Sequence, residues 1–69
     1  VSLDIREDAI RATMRVLRRA TDWQEGQTFL GQDDRFGPWL VEESGDDGIA
    51  LAQSIVREAE ERLGDELPY

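Results

Sequence analysis

The chain has 69 residues and a mass of 7.9 kDa, with 16 Asp+Glu against 8 Lys+Arg, a formal net charge of −8 and a sequence pI near 4.3. It contains no His and no Cys, and every one of its cations is an Arg. Those absences exclude a Ser-His-Asp triad, a thiolate nucleophile, a disulfide framework, a Cys/His zinc site and a Lys Schiff base, so neither an enzyme nor a cofactor is expected.

Residues 1–69 read as one small domain. A chain this short buries only about 60% of the surface its unfolded form exposes, so it needs a well-packed core or a partner chain. The first predicted helix covers about 4–23. Asp4 with Glu7 is an acidic form of the capping box. At 100° per residue, Ile5, Ala9, Ile10, Thr13, Val16, Leu17 and Ala20 share one arc, with Ala12, Met14 and Trp23 at its edges. The opposite arc takes Asp4, Glu7, Asp8, Arg11, Arg15, Arg18, Arg19 and Asp22. The apolar arc is close to half the circumference, wider than so small a domain is expected to cover by itself.

The middle, about 24–43, is punctuated by Gly26, Gly31, Gly37 and Pro38, which oppose helix. Gln27-Thr28-Phe29-Leu30 and Trp39-Leu40-Val41-Glu42 are strand-compatible, and Gln32-Asp33-Asp34-Arg35 between them is a polar turn. The spacing predicts a β-hairpin; the alternative is an irregular aromatic loop whose Phe29, Phe36 and Trp39 plug the gap between two helices.

The second predicted helix covers about 45–63 and starts at Ser44, Asp46 or Asp47, where acids suit the positive end of a helix dipole. Gly48, Ile49, Ala52, Ile55, Val56, Ala59 and Leu63 form its apolar stripe. Gly64 and Pro68 stop it, leaving a tail at 64–69. The expected fold class is therefore mainly α, as helix-strand-strand-helix, with an α+β assignment left open. The stretch Glu60-Glu61-Arg62-Leu63-Gly64-Asp65-Glu66-Leu67-Pro68 resembles the second helix of acyl carrier proteins and the loop after it. The place of that family's attachment serine reads Asp46-Asp47-Gly48-Ile49 here, without a Ser, and the likeness identifies nothing.

Charge is segregated. Residues 1–21 hold five Arg against three acids, and residues 22–69 hold three Arg against thirteen. The Arg stripe would suit an acidic partner or the acidic half of a second copy. Direct binding of nucleic acid is not expected, because the overall field repels polyanions. The acid couplets fail the EF-hand spacing: with Gly37 in the sixth place, Phe36 takes a ligand position. No metal ligand is assigned. No apolar run approaches the ~18 residues of a membrane span, and Val1-Ser2-Leu3-Asp4 has no leader character, so a cytoplasmic protein away from membranes is expected.

The expected function is a small acidic protein–protein interaction module, a subunit, adaptor or regulator. It would bind another protein or a second copy of itself as a homodimer, through the apolar helix face and the aromatic loop. Candidate contact residues are Phe36, Trp39, Leu40, Trp23, Arg11, Arg15 and Arg18. The alternatives are an acidic inhibitor of immunity, antitoxin or DNA-mimic type, and carboxylate-based binding of a divalent metal.

Overall fold

A computed structural model describes residues 4–69, so the reading of the first three residues as lacking a leader lies outside the described residues. The described residues are mainly helical: α1 (Ile5–Leu17), α2 (Gln24–Gln32), α3 (Phe36–Ser44) and α4 (Ile49–Leu63), followed by a 3₁₀ turn at Gly64–Glu66. Among the described residues there is no strand. The predicted hairpin, and with it the helix-strand-strand-helix order, is corrected: both of its arms are helices.

The start of α1 is the expected one. The Asp4 carboxylate accepts the backbone N–H of Arg6 at 3.0 Å and of Glu7 at 3.4 Å, satisfying two of the orphan donors of the first turn. The end of α1 is earlier than predicted. After Leu17 the chain tightens into a turn in which Arg19 N–H and Ala20 N–H donate to the carbonyls of Val16 and Leu17. The tightening carries Ala20 into the core, where it is buried.

A second start follows at once. Asp22 accepts the N–H of Gln24 at 2.7 Å, and Glu25 accepts from both the N–H and the hydroxyl of Thr21. This acid-bearing start opens α2 in the manner of a capping box. Asp33 does the same for α3, accepting from Arg35 N–H at 2.9 Å and Phe36 N–H at 3.3 Å. Pro38 is the third residue of α3, inside the first turn, where a helix needs no N–H from it.

Two of the glycines that looked like helix breakers, Gly26 and Gly37, are points where helices touch. A Cβ on Gly26 would lie 3.0 Å from Leu17 Cδ2, 3.2 Å from Thr13 Cγ2 and 3.4 Å from Val56 Cγ2. Gly26 thus lets α2 settle into the angle between α1 and α4, and a Cβ on Gly37 would meet the carbonyl oxygen of Gly31 at 2.9 Å, where α3 folds back on α2. Gly48 precedes α4 with φ of 77°, and its absent Cβ would come 2.8 Å from Leu40 Cβ. Both the left-handed backbone and the close contact call for glycine at 48.

α1 packs most extensively on α4, and α2 lies across both. The side chains of Leu17, Leu30, Ile55 and Val56 are sealed at the centre. Each contributes about 1.5–3 kcal/mol of hydrophobic stabilisation. Ile10, Phe36, Leu40 and Leu63 complete the core. Of the α4 stripe, Ala52, Ile55, Val56, Ala59 and Leu63 are buried as expected, but Ile49 is 48% exposed. α4 and α2 together cover most of the wide apolar arc of α1. The principal extents are 32 × 27 × 17 Å, and each helix keeps a solvent-facing side.

Candidate functional site

The uncovered part of the α1 arc lies in a groove between α1 and the α2–α3 pair. Its apolar lining is Ala12, Val16 and Phe29, each half-buried. At the α3 end, Asp8, Arg11, Arg15, Asp33, Arg35 and Phe36 border a depression of about 530 Å³. Toward the α1–α2 connection the surface continues past Val16 to Thr28, Gln32 and Glu25. Arg15, Val16, Arg18 and Arg19 bound an adjoining hollow of about 390 Å³.

The charges of this groove are unequally spent. Arg35 donates to Asp8 at 2.8 Å while its guanidinium stacks 5.4 Å from the centroid of the Phe36 ring. Phe36 in turn meets Phe29 edge-on at 6.4 Å, which fixes the aromatic floor. Arg11 pairs with Glu7 at 3.3 Å, and Arg18 turns toward Glu66 at 3.6 Å. Among the described residues Arg15 and Arg19 have no ion-pair partner. The acids nearby are committed: Asp33 to the start of α3, Asp22 and Glu25 to the start of α2. The hydrogen bonds from Thr21 hold the Glu25 carboxyl below its ordinary pKa.

The candidate residues divide. Arg11 and Arg15 line the groove together with the edge of Phe36. Arg18 is exposed but engaged with the 3₁₀ turn. Phe36 and Leu40 are interior, at 5% and 3% exposure, so the expected aromatic loop is a helix with those two side chains turned inward. Trp39 is half-buried against the core. Trp23 is elsewhere: it is 40% exposed and flanks a shallow cleft of about 310 Å³ with Gln53, Val56, Arg57 and Glu60 of α4. Next to it the tail returns, and the Tyr69 hydroxyl donates to Glu60 at 2.6 Å. Partial burial and the Glu60 carboxylate push the Tyr69 phenol above its ordinary pKa. Sequence reasoning missed Arg35 and the role of Val16 and Phe29 as groove floor. The Asp22-x-x-Glu25 pattern was the signal available for α2, and with α2 in place Phe29 faces α1.

The opposite charge collects between α3 and α4. Glu42 and Glu43 are exposed on the last turn of α3, and Asp46 and Asp47 accept the N–H groups of Gly48 and Ile49. The Gly48 N–H holds the Asp46 carboxyl below its usual range. Val41, 51% exposed, and Ile49 flank this acidic segment. Elsewhere carboxylates sit on every helix and every connection. Among the described residues no group of three or more acids is placed to hold a metal ion, and no helix is long and apolar enough to cross a membrane.

No protein-family model, curated protein or solved structure matches this chain.

Proposed function

We propose that this chain is a protein-binding module, a subunit, adaptor or regulator, whose docking surface is the α1–α2 groove. The observation that carries the reading is the pairing of a half-exposed apolar floor with two Arg side chains lacking ion-pair partners among the described residues. Ala12, Val16 and Phe29 supply the floor; Arg15 and Arg19 supply the charge. Apolar contact gives such an interface its affinity, and the flanking charges select and steer an acidic partner. A binding role also fits a chain with no His, Cys or Lys.

The reading moves the contact away from Phe36 and Leu40, which hold the core, and keeps Arg11 and Arg15. A photo-crosslinking residue placed at exposed Thr28, inside the groove, tests it in cells of the source organism. The expected result is a discrete crosslinked protein that disappears when Arg15 and Arg19 are both changed to Glu. The same residue placed at Gln53, on the α4 surface, serves as control. Identical diffuse products from both positions would remove the groove from consideration.

A further inference from the structure

We infer that the occupant of the groove is a second copy of this chain, entering with its α3–α4 connection. The inference rests on the docking reading above and names the partner. Its basis is complementarity between two surfaces of one molecule. The groove offers an apolar floor edged by Arg15 and Arg19. The connection offers exposed Val41 and Ile49 at its two ends, with exposed Glu42 and Glu43 following Val41 on the last turn of α3. Among the described residues neither the two acids nor the two arginines have an ion-pair partner within the chain. Each surface supplies what the other lacks.

The two surfaces share no residue, so one copy presents both at once. The contact is heterologous, head to tail, and copies joined by it close into a ring or extend as a chain. The net charge of −8 opposes association at long range. At physiological salt the Debye length of about 8 Å screens most of that repulsion, while ion pairs in contact persist. The acidic connection can be altered without disturbing helix starts, because Asp46 and Asp47 hold the start of α4 and Glu42 and Glu43 hold none. Positive charge at 42 and 43 also suits the C-terminal end of α3.

Sedimentation of the full chain at physiological salt, up to about 1 mM, reads the association directly. The expected result is a concentration-dependent increase in mass. Arg15→Glu with Arg19→Glu, and separately Glu42→Arg with Glu43→Arg, each lower the association constant by about tenfold or more. Mixing these two variants restores association, because each then carries the other's complement. Circular dichroism accompanies both.

A second measurement does not depend on charge reversal. The chain has no Lys, so Arg15→Lys with Arg19→Lys keeps the charge and introduces its only side-chain amines. Carbodiimide coupling in a mixture of ¹⁴N and ¹⁵N chains is expected to give mixed-isotope peptides joining position 15 or 19 to position 42 or 43. A chain that stays monomeric throughout, with no such mixed-isotope peptide, overturns the second-copy proposal. If the Thr28 crosslink then persists and still depends on Arg15 and Arg19, the docking reading survives with another protein as partner. If that crosslink is also absent, both fail.

Discussion

Glu7 of α1 and Arg62 of α4 meet as a fork: one guanidinium nitrogen bonds Glu7 Oε2 and the other lies 3.0 Å from Oε1. Arg11 reaches the same carboxylate from the next turn of α1, and Glu58 approaches Arg62 from α4. The pair clasps the first turn of α1 to the last turn of α4, the helices with the most extensive mutual packing. The Arg62 hydrogen bond is the main cause that holds the Glu7 carboxyl below its ordinary value of 4.5 and raises the guanidinium above its own.

A folded-state pKa below the unfolded one gives Glu7 a defined pH signature. Its stabilisation is fully present above the unfolded value and is lost as pH falls through the folded one. Glu25 and Asp46 are shifted in the same direction and add to the same acid limb. Glu7→Gln is therefore expected to lower the unfolding midpoint in urea at pH 7. Its difference from the parent should shrink as the solution is taken below pH ~4. Urea titrations at several pH values check this, and a difference that stays constant with pH would assign the loss to packing instead.

Gly26 and Gly31 lie on the same short helix and should respond oppositely to Ala. At Gly26 the added methyl meets Leu17, Thr13 and Val56 in the sealed centre. Overpacking of about 1–3 kcal/mol outweighs the gain in helix propensity of about 1 kcal/mol, so a net loss is expected. At Gly31 nothing lies within 4 Å, and Gly31→Ala should stabilise by about 0.5–1 kcal/mol. Chemical unfolding of both variants measures the contrast.

Thr13 is fully buried, yet its hydroxyl has no hydrogen-bond partner among the described residues. An unsatisfied buried hydroxyl costs about 1–3 kcal/mol. Thr13→Val keeps the shape and removes the polar group, and the two residue types have similar helix propensity. A gain of about 1 kcal/mol is expected in urea unfolding. A loss would mean that the hydroxyl has a partner, such as a buried water.

Trp23 and Trp39 report different environments, the first exposed beside α4 and the second packed against the core. With Trp39→Phe the remaining emission should be redder and more readily quenched by acrylamide than with Trp23→Phe. The groove does not include Trp23, so its emission should not change as the chain is concentrated. A blue shift with concentration would place the contact at the Trp23 cleft.

Local signals in the sequence determined the two long helices of this protein. Asp4 caps α1 through its own carboxylate, and the spacing of Ala52, Ile55, Val56, Ala59 and Leu63 is enough to orient α4. The acids at 33, 46 and 47 act as helix-start residues because a carboxylate next to free N–H groups does so in almost any fold. Tertiary structure decided the rest. Helices as short as α2 and α3 are marginal in isolation, since helices under about 12–15 residues rarely hold alone in water. Their glycines weaken them locally and make sense only where Gly26 meets α1 and α4 and Gly37 meets the Gly31 carbonyl. Once those contacts form, the width of the α1 arc finds its cover, Phe36 and Leu40 turn inward, and Ala12, Val16 and Phe29 come together from separate helices. No periodicity within a single segment encodes that meeting, because it depends on how closely the backbones of different helices approach.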